Sequence, residues 1–239
     1  MILAAGVGKR LNGKSDNRIC KPLQQVGGVP LIVYSLRLLE KAGIEKAIVV
    51  VGKFYNEIRD EIGDRFGNMN VEYRIQHEQK GLVNAILSGC MELEDDVTVL
   101  LADELFVNAK MSDCIKEFRD KSLDFIVTYV IENDPEKIKA NFSLNITNDG
   151  TPYGFVEKPT EVVNDMKGTG VCFFSAESVA LLKQKYDKKS NVPNTLCDFF
   201  NLLNQEKMNG RAFEFADVEV NVNTPEDLKN AKRMFETEG

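Results

Sequence analysis

The segment LAAGVGKRL at residues 3–11, followed by KPL at residues 21–23, decides the fold. A short apolar run ends there in small residues and glycines, and two cations, Lys9 and Arg10, follow at once. Such a transition from strand to loop exposes backbone N–H groups and positive charge, which together can hold phosphate groups. The segment therefore predicts a phosphate-binding loop after the first strand of an α/β sheet.

Strand and helix patterns alternate after this loop. The runs KAIVVV at 46–51 and VTVLL at 97–101 are continuous and apolar, which is typical of parallel strands covered on both faces. Apolar residues at helical spacing predict three helices, at 30–42, 53–66 and 81–91. This order predicts a doubly wound, mostly parallel, Rossmann-like α/β sheet.

The pattern changes in the second half of the chain. Apolar runs at 144–146 and 153–156 flank an Asp-Gly turn, which predicts a β-hairpin. Strands are also expected at 170–174, 211–215 and 218–222. We expect one domain over residues 1–239, with a nucleotide-binding half, 1–131, and a small hairpin-rich half, 132–239, that binds an acceptor and completes the same sheet.

The C-terminal helix has a clear start signal. Thr224 is expected as its N-cap and Pro225 as its first residue, and two acidic residues follow in the first turn. Each of these is favourable at a helix N-terminus. We therefore expect a helix from Pro225 onward.

Composition excludes several classes of protein. A net charge of −7 and a pI near 5.0 argue against a general nucleic-acid binder. The five cysteines are scattered without a Cys-x-x-Cys pair, which suggests neither a disulfide framework nor a zinc site. The N-terminal apolar run is too short for a signal peptide or a membrane span. We expect a cytoplasmic protein with no nucleic-acid or membrane partner, and the sequence leaves a homo-oligomer open.

Two other interpretations compete for the glycine loop. Gly6-x-Gly8 resembles a dinucleotide fingerprint, but Leu11 stands where the third glycine belongs. The segment GKRLNGKS at 8–15 satisfies the pattern of a P-loop kinase, which requires a sustained helix from residue 14. Pro22 would interrupt that helix after two turns, so the P-loop kinase stays a more distant alternative.

Five later motifs follow the loop: QHEQKGLVNA at 76–85, LADE at 101–104, EKP at 157–159, GTG at 168–170 and NTPEDL at 223–228. Together with the loop, and in this order, they resemble the NTP-dependent sugar-phosphate nucleotidyltransferases, the family of glucose-1-phosphate thymidylyl- and uridylyltransferases. They span nearly the whole chain. The resemblance implies an enzyme that joins an NTP to a phosphorylated small molecule and releases pyrophosphate.

The resemblance also assigns residues. The nucleotide-binding set is Leu3, Ala5, Gly6, Gly8, Lys9, Arg10, Lys21, Gln76 and Gly81, where Gln76 and Gly81 would meet a pyrimidine base. The catalytic set is Arg10, Lys21, Asp103 and Lys158, because this transfer depends on charge neutralisation more than on acid–base work. The acceptor set is Glu157, Lys158, Thr169 and Gly170, with the acceptor expected against the backbone of Gly170. His77, the only histidine, is given no catalytic role.

Magnesium is the expected cofactor. Asp103 ends an apolar strand at the carboxyl edge of the sheet, where ligands of such sheets bind, and a carboxylate suits Mg²⁺. Asn221 stands where the family usually has a second metal-binding Asp, and Asn223 is an open alternative. The resemblance also weakens at 141–143, where a Tyr-Gly pair typical of sugar-specific members is replaced by NFS.

The resemblance as a whole still makes a sugar 1-phosphate the leading acceptor. A CTP-dependent cytidylyltransferase acting on phosphocholine, a phosphonate or phosphoglutamine is close behind, and a non-catalytic nucleotide-binding regulator remains a further alternative. The sequence does not choose among UTP, dTTP and CTP.

One substitution separates the family interpretation from the P-loop interpretation. We expect Ser15→Ala to leave pyrophosphate release nearly unchanged, because Ser15 has no assigned role in the nucleotidyltransferase. Lys21→Ala should abolish the activity, since Lys21 would neutralise the α-phosphate. Steady-state kinetics of both variants give the answer, and loss of activity in Ser15→Ala with activity retained in Lys21→Ala would support a P-loop enzyme.

Overall fold

In the computed structural model of the protein, residues 1–6, 8, 11 and 19–235 are described. They form fourteen strands: β1 Ile2–Leu3, β2 Gln25–Val26, β3 Val29–Pro30, β4 Lys46–Val51, β5 Arg65–Phe66, β6 Met69–Ile75, β7 Val97–Leu101, β8 Glu104–Val107, β9 Phe125–Ile131, β10 Phe142–Ile146, β11 Pro152–Glu157, β12 Met166–Phe174, β13 Gly210–Glu214 and β14 Val218–Asn221. The eight helices among the same residues are α1 Leu31–Lys41, α2 Tyr55–Ile62, α3 Leu82–Cys90, α4 Met111–Asp120, α5 Pro135–Lys139, α6 Ala176–Asp187, α7 Leu196–Gln205 and α8 Pro225–Phe235. No helix in the described ranges is both long and apolar enough to cross a membrane.

The main sheet has ten strands. Its path runs β11-β10-β12-β7-β1-β4-β6-β5, and β9 and β13 continue from the other side of β12. Strands β7, β1, β4 and β6 are parallel, whereas β12 is antiparallel to β7. The predicted doubly wound, mostly parallel α/β sheet is therefore confirmed, and strands from both predicted halves belong to it.

Both faces of this sheet are covered by an apolar layer. Along β4, Ile48 and Val50 pack into one layer while Val49 and Val51 pack into the other. Because side chains alternate between the faces of a strand, a buried parallel strand must be apolar at every position. This requirement explains the uninterrupted run KAIVVV.

A smaller unit covers one end of the sheet. Strands β8 and β14 pair with each other outside the main sheet, and β2 and β3 form a short hairpin. A third apolar cluster joins these strands to α1 and α8: Leu11, Val26, Leu31, Leu105, Val222, Ala231 and Phe235. The predicted strand at 218–222 is confirmed as β14, but it pairs outside the main sheet with β8, a strand that the sequence did not predict.

Several predicted boundaries shift. Pro30 lies in β3 and precedes α1, and β12 begins at Met166, well before the predicted residue 170. The hairpin of β10 and β11 is confirmed. At the C-terminal helix, the Thr224 hydroxyl accepts a hydrogen bond from the Asp227 backbone N–H at 3.2 Å, as the predicted cap requires.

Helix α7 offers a clean stability test because its cap is complete. The Thr195 hydroxyl accepts from the Asp198 N–H at 3.1 Å, and the Asp198 carboxylate accepts from the Thr195 N–H at 2.9 Å. We expect Thr195→Ala to cost about 1 kcal/mol, which in a chain of this size lowers Tm by roughly 2–4 °C. Thermal unfolding measures the change. Thr195→Ser keeps the hydroxyl and should unfold within about 1 °C of the native protein, and an equal loss in both variants would contradict the cap's contribution.

Candidate functional site

A cleft of about 350 Å³ opens at the carboxyl ends of β1 and β7. It brings together most of the predicted nucleotide-binding residues that the structure describes: Leu3, Ala5, Gly6, Lys21, Gln76 and Gly81, with the predicted metal ligand Asp103 beside them. Gly8 is not among the lining residues, and its backbone packs against Lys21. Lys9 and Arg10 lie outside the described residues, so their predicted roles stay predictions.

Lys21 is the cation of this cleft. It begins a single 3₁₀ turn with Pro22 and Leu23, and only 8% of its surface is exposed. Its ammonium group forms an ion pair with Asp103 and donates to Asn223 Oδ1 at 3.0 Å. A buried ammonium needs such partners, because desolvating an unpaired charge is costly.

Asp103 and its neighbour Glu104 point to different surroundings. Asp103 faces the cleft, whereas Glu104 is buried and both of its carboxylate oxygens accept from the backbone N–H of Gly170, at 3.0 and 2.9 Å. Burial, reinforced by the nearby Glu219 and Asp103 carboxylates, raises the pKa of Glu104 well above its ordinary value. Sequence reasoning treated Glu104 only as part of a motif and missed this role.

Gly170 is surrounded by protein on the side where a side chain would project. A Cβ at this position would lie 2.3 Å from Leu101 Cγ and 2.9 Å from Glu104 Oε2. Glycine is required here by that packing. The predicted contact of the acceptor with the backbone of Gly170 stays a prediction.

Two asparagines extend the polar contacts from Lys21 to Glu104. Asn223 Nδ2 donates to Asn221 Oδ1 at 2.8 Å, and Asn221 Nδ2 lies 3.5 Å from Glu104 Oε1. Asn221 is also the direct partner of Glu104 in the pairing of β14 with β8. Asn223 was left open by the sequence, and the spacing Asn-x-Asn, which directs both side chains to one face of an extended segment, was the available signal.

The residues present fit a magnesium ion only in part. Among the residues that the structure describes, no group of three or more His, Cys, Asp or Glu side chains could hold a metal. Asp103 offers a carboxylate, and Asn221 Oδ1 has a second lone pair besides the one used by Asn223. Mg²⁺ commonly binds through one or two protein oxygens and completes its shell with substrate phosphates and water, so this donor set suits a substrate-completed site.

The predicted acceptor residues lie apart from this cleft. Glu157 and Lys158 are exposed at the end of β11, and neither lines the cleft. Lys158 adopts φ +47°, an uncommon conformation for a residue with a side chain, and its N–H donates to the Asn141 carbonyl at 2.7 Å. The Glu157 carboxylate lies 3.7 Å from the Cys197 sulfur, and burial together with this carboxylate raises the pKa of that thiol.

Thr169 is buried between strands. Its hydroxyl contacts Thr128 Oγ1 on the neighbouring β9, at 2.5 Å. The Thr128 hydroxyl also donates to the Val171 carbonyl at 2.5 Å, so these contacts connect β9 and β12. The acceptor role of Thr169 stays a prediction.

The predicted base-binding loop is held by side-chain amides. Gln76 is buried, and its Nε2 donates to the Gly81 carbonyl at 3.3 Å and to Asn84 Oδ1 at 2.8 Å. Gln79 also lines the cleft and donates to the Ala5 carbonyl at 2.9 Å. Gly81 has φ +98°, a conformation that a side chain would strain. Gln79 and Asn84 were not predicted, although both lie within the motif at 76–85.

Comparison with known proteins gives one consistent result. The family model described as nucleotidyl transferase matches residues 1–236. UTP–glucose-1-phosphate uridylyltransferase AglF of Haloferax volcanii is 30% identical over 176 residues, 73% of this chain and 71% of that protein. Glucose-1-phosphate thymidylyltransferase of Streptomyces antibioticus is 29% identical over 181 residues, 73% of this chain and 49% of that protein, so the match spans about half of that relative.

Solved structures agree at the level of the fold. A UDP-glucose pyrophosphorylase complexed with UDP-glucose superposes with a TM-score of 0.83 at 18% identity, covering 100% of this chain and 98% of the other. UTP-bound UGPase from Acinetobacter baumannii superposes with a TM-score of 0.81, also at 18% identity, covering 100% of this chain and 93% of the other. At such identity the likeness extends to the architecture alone.

The contact between Glu104 and Gly170 can be tested by substitution. Glu104→Ala removes the acceptor of a buried N–H and should cost about 1–3 kcal/mol, with faster amide hydrogen exchange at Gly170. Glu104→Gln keeps an oxygen for that N–H and should retain most of the protection. Hydrogen exchange followed by mass spectrometry or NMR measures both. Unchanged exchange at Gly170 in Glu104→Ala would show that the carboxylate does not hold this strand.

Proposed function

The chain belongs to the nucleotidyl transferase family, and we propose that it transfers the nucleotidyl group of a pyrimidine NTP to a sugar 1-phosphate. The observation that carries the proposal is the cleft in which the Lys21–Asp103 pair lies near Gln76 and Gly81. One end of the cleft offers charge for phosphates, and the other offers hydrogen-bonding groups for a base. The family's chemistry requires both.

In the proposed reaction, a phosphate oxygen of the acceptor attacks the α-phosphorus of the NTP. A new P–O bond forms to this oxygen, and the bond from the α-phosphorus to the bridging oxygen breaks on the opposite side. The electron pair of that bond leaves with pyrophosphate. No proton must be abstracted from the attacking phosphate when it is ionised, so catalysis depends on positioning and on neutralising negative charge.

Lys21 is the residue best placed to neutralise that charge. In the structure its ammonium group is shared between Asp103 and Asn223. We infer that Asp103 would be available to hold a metal ion, and that the neutral Asn223 would keep Lys21 in place beside the α-phosphate. An amide suits this position because it accepts a hydrogen bond without cancelling the ammonium charge. Arg10 would hold the β- and γ-phosphates, as the resemblance implies.

A magnesium ion would be held by Asp103 and Asn221, with nucleotide phosphate oxygens completing its shell. When bound, it would withdraw negative charge from the phosphates and assist their alignment. Asn221 is a neutral ligand and would contribute less to metal affinity than a carboxylate. The chain's own contribution is to hold both side chains at one edge of the sheet through the pairing of β8 with β14.

Two observations support a sugar 1-phosphate as the acceptor: the named activities of the relatives, and the side chains at the end of β11. The named activities of the Haloferax and Streptomyces relatives both concern glucose 1-phosphate. Exposed Glu157 and Lys158 offer a carboxylate for a hydroxyl group and an ammonium for a phosphate. A sugar 1-phosphate carries both groups. We therefore place the acceptor between β11 and the cleft.

A pyrophosphate-release screen tests the function. We expect release with UTP or dTTP and a sugar 1-phosphate in the presence of Mg²⁺, and at least about a 100-fold loss in Asp103→Asn. The panel should also contain CTP, ATP and GTP as nucleotides, and phosphocholine, a phosphonate and phosphoglutamine as acceptors. Silence across all pairs would refute the proposal. Release confined to CTP and a non-sugar acceptor would replace it with a cytidylyltransferase.

A further inference from the structure

Gln76 lines the cleft, and the NH₂ group of its side-chain amide already has hydrogen-bond partners within the protein. The backbone N–H of Gln76 donates to the Val51 carbonyl at 2.8 Å, which extends the pairing of β4 with β6 by one residue. The two hydrogens of Nε2 are directed to the Gly81 carbonyl at 3.3 Å and to Asn84 Oδ1 at 2.8 Å. Oε1 is therefore the group that Gln76 has left for a ligand.

The orientation of this amide is determined by its partners. A backbone carbonyl can only accept, so exchanging the oxygen and nitrogen of Gln76 would place two acceptors against each other at Gly81. Asn84 supplies the second and shorter contact. The carbonyl at Gly81 thus selects the orientation, and Asn84 provides the closer of the two contacts that stabilise it.

Asn84 stands behind Gln76, outside the cleft. It lies in the first turn of α3, is half-buried, and is absent from the residues that line the cleft. Its backbone carbonyl accepts from Ser88 Oγ at 2.9 Å. Any effect of Asn84 on a nucleotide must therefore pass through Gln76, which makes it a positioning residue.

Opposite ring position 3 of the base, Oε1 would distinguish pyrimidines by one atom. Ring position 3 of uracil and thymine carries an N–H, which can donate to Oε1. The same position in cytosine is a bare nitrogen, and two acceptors facing each other would leave both without a hydrogen bond. Discrimination of this kind is effective because a buried polar group left unpaired is costly.

We propose that Asn84 contributes to base specificity: together with the Gly81 carbonyl, it holds Gln76 with its oxygen toward the cleft, which selects uracil or thymine against cytosine. The inference rests on the proposed function in placing the base beside Gln76. It adds a positioning residue that supports the preference, and the direction of that preference.

The test compares two substitutions of similar size. Asn84→Asp keeps an acceptor for Nε2, whereas Asn84→Leu removes it and favours the helix at least as well. We expect the native protein to favour UTP over CTP in kcat/KM, Asn84→Asp to keep that ratio, and Asn84→Leu to reduce it about fivefold. A structural role alone would lower the values for both nucleotides equally and leave the ratio unchanged.

Binding provides a measurement that does not depend on turnover. Calorimetric titration with UTP and with CTP should give the same order of affinities and the same loss of discrimination in Asn84→Leu. If no pyrophosphate is released with any acceptor but base-selective binding is retained, the proposed function fails and this inference stands. A native preference for CTP, or an unchanged ratio in Asn84→Leu, would overturn it.

Discussion

The contact between the Glu104 carboxylate and the Gly170 N–H governs the arrangement of the cleft. Strand β12 pairs with β7 over Cys172–Phe174 and with β10 at Lys167. Residues 168–171 lie in the gap between these two pairings. A buried N–H in such a gap needs an acceptor. Glu104 supplies this acceptor. Because Glu104 follows Asp103 directly, the same contact also restrains the position of Asp103 after the end of β7.

Charge in the surrounding region is balanced by pairing in two layers. In the cleft, Lys21 and Asp103 neutralise each other. Beneath them, buried Lys167 forms ion pairs with Glu219 at 2.5 Å and with Glu132 at 3.6 Å. Burial is the main cause that raises the pKa of Glu219, and the Lys167 ammonium opposes this rise. The pair between Lys167 on β12 and Glu219 on β14 connects these two strands. It adds an ionic contact to the pairing of Asn221 with Glu104, which holds β14 beside β8.

Local patterns and non-local contacts differ in what they predict. The runs KAIVVV and VTVLL predicted β4 and β7 because a strand buried on both faces must be apolar almost throughout. Such a run can be recognised within five or six consecutive residues. Strand β8 escaped prediction because its partner β14 lies over 100 residues away along the chain and its pattern shows no comparable run. The cleft residues Lys21, Gln76 and Asp103 came from motif resemblance. Asn84 and Gln79 could not be assigned that way, since their importance arises from which carbonyl or amide they meet after folding.

The reversal of strand direction at β12 bears on how one sheet would serve the two proposed substrates. Parallel strands β1 and β7 both end at the edge where the nucleotide cleft opens. An antiparallel strand must begin at that same edge, so the start of β12 lies beside the end of β7. The first residues of β12 pair with β10, where Ser143 lies opposite Lys167, and β10 pairs in turn with β11, where Phe142 lies opposite Glu157. The end of β11 is thereby brought to the side of the sheet at which the cleft opens, without a second domain.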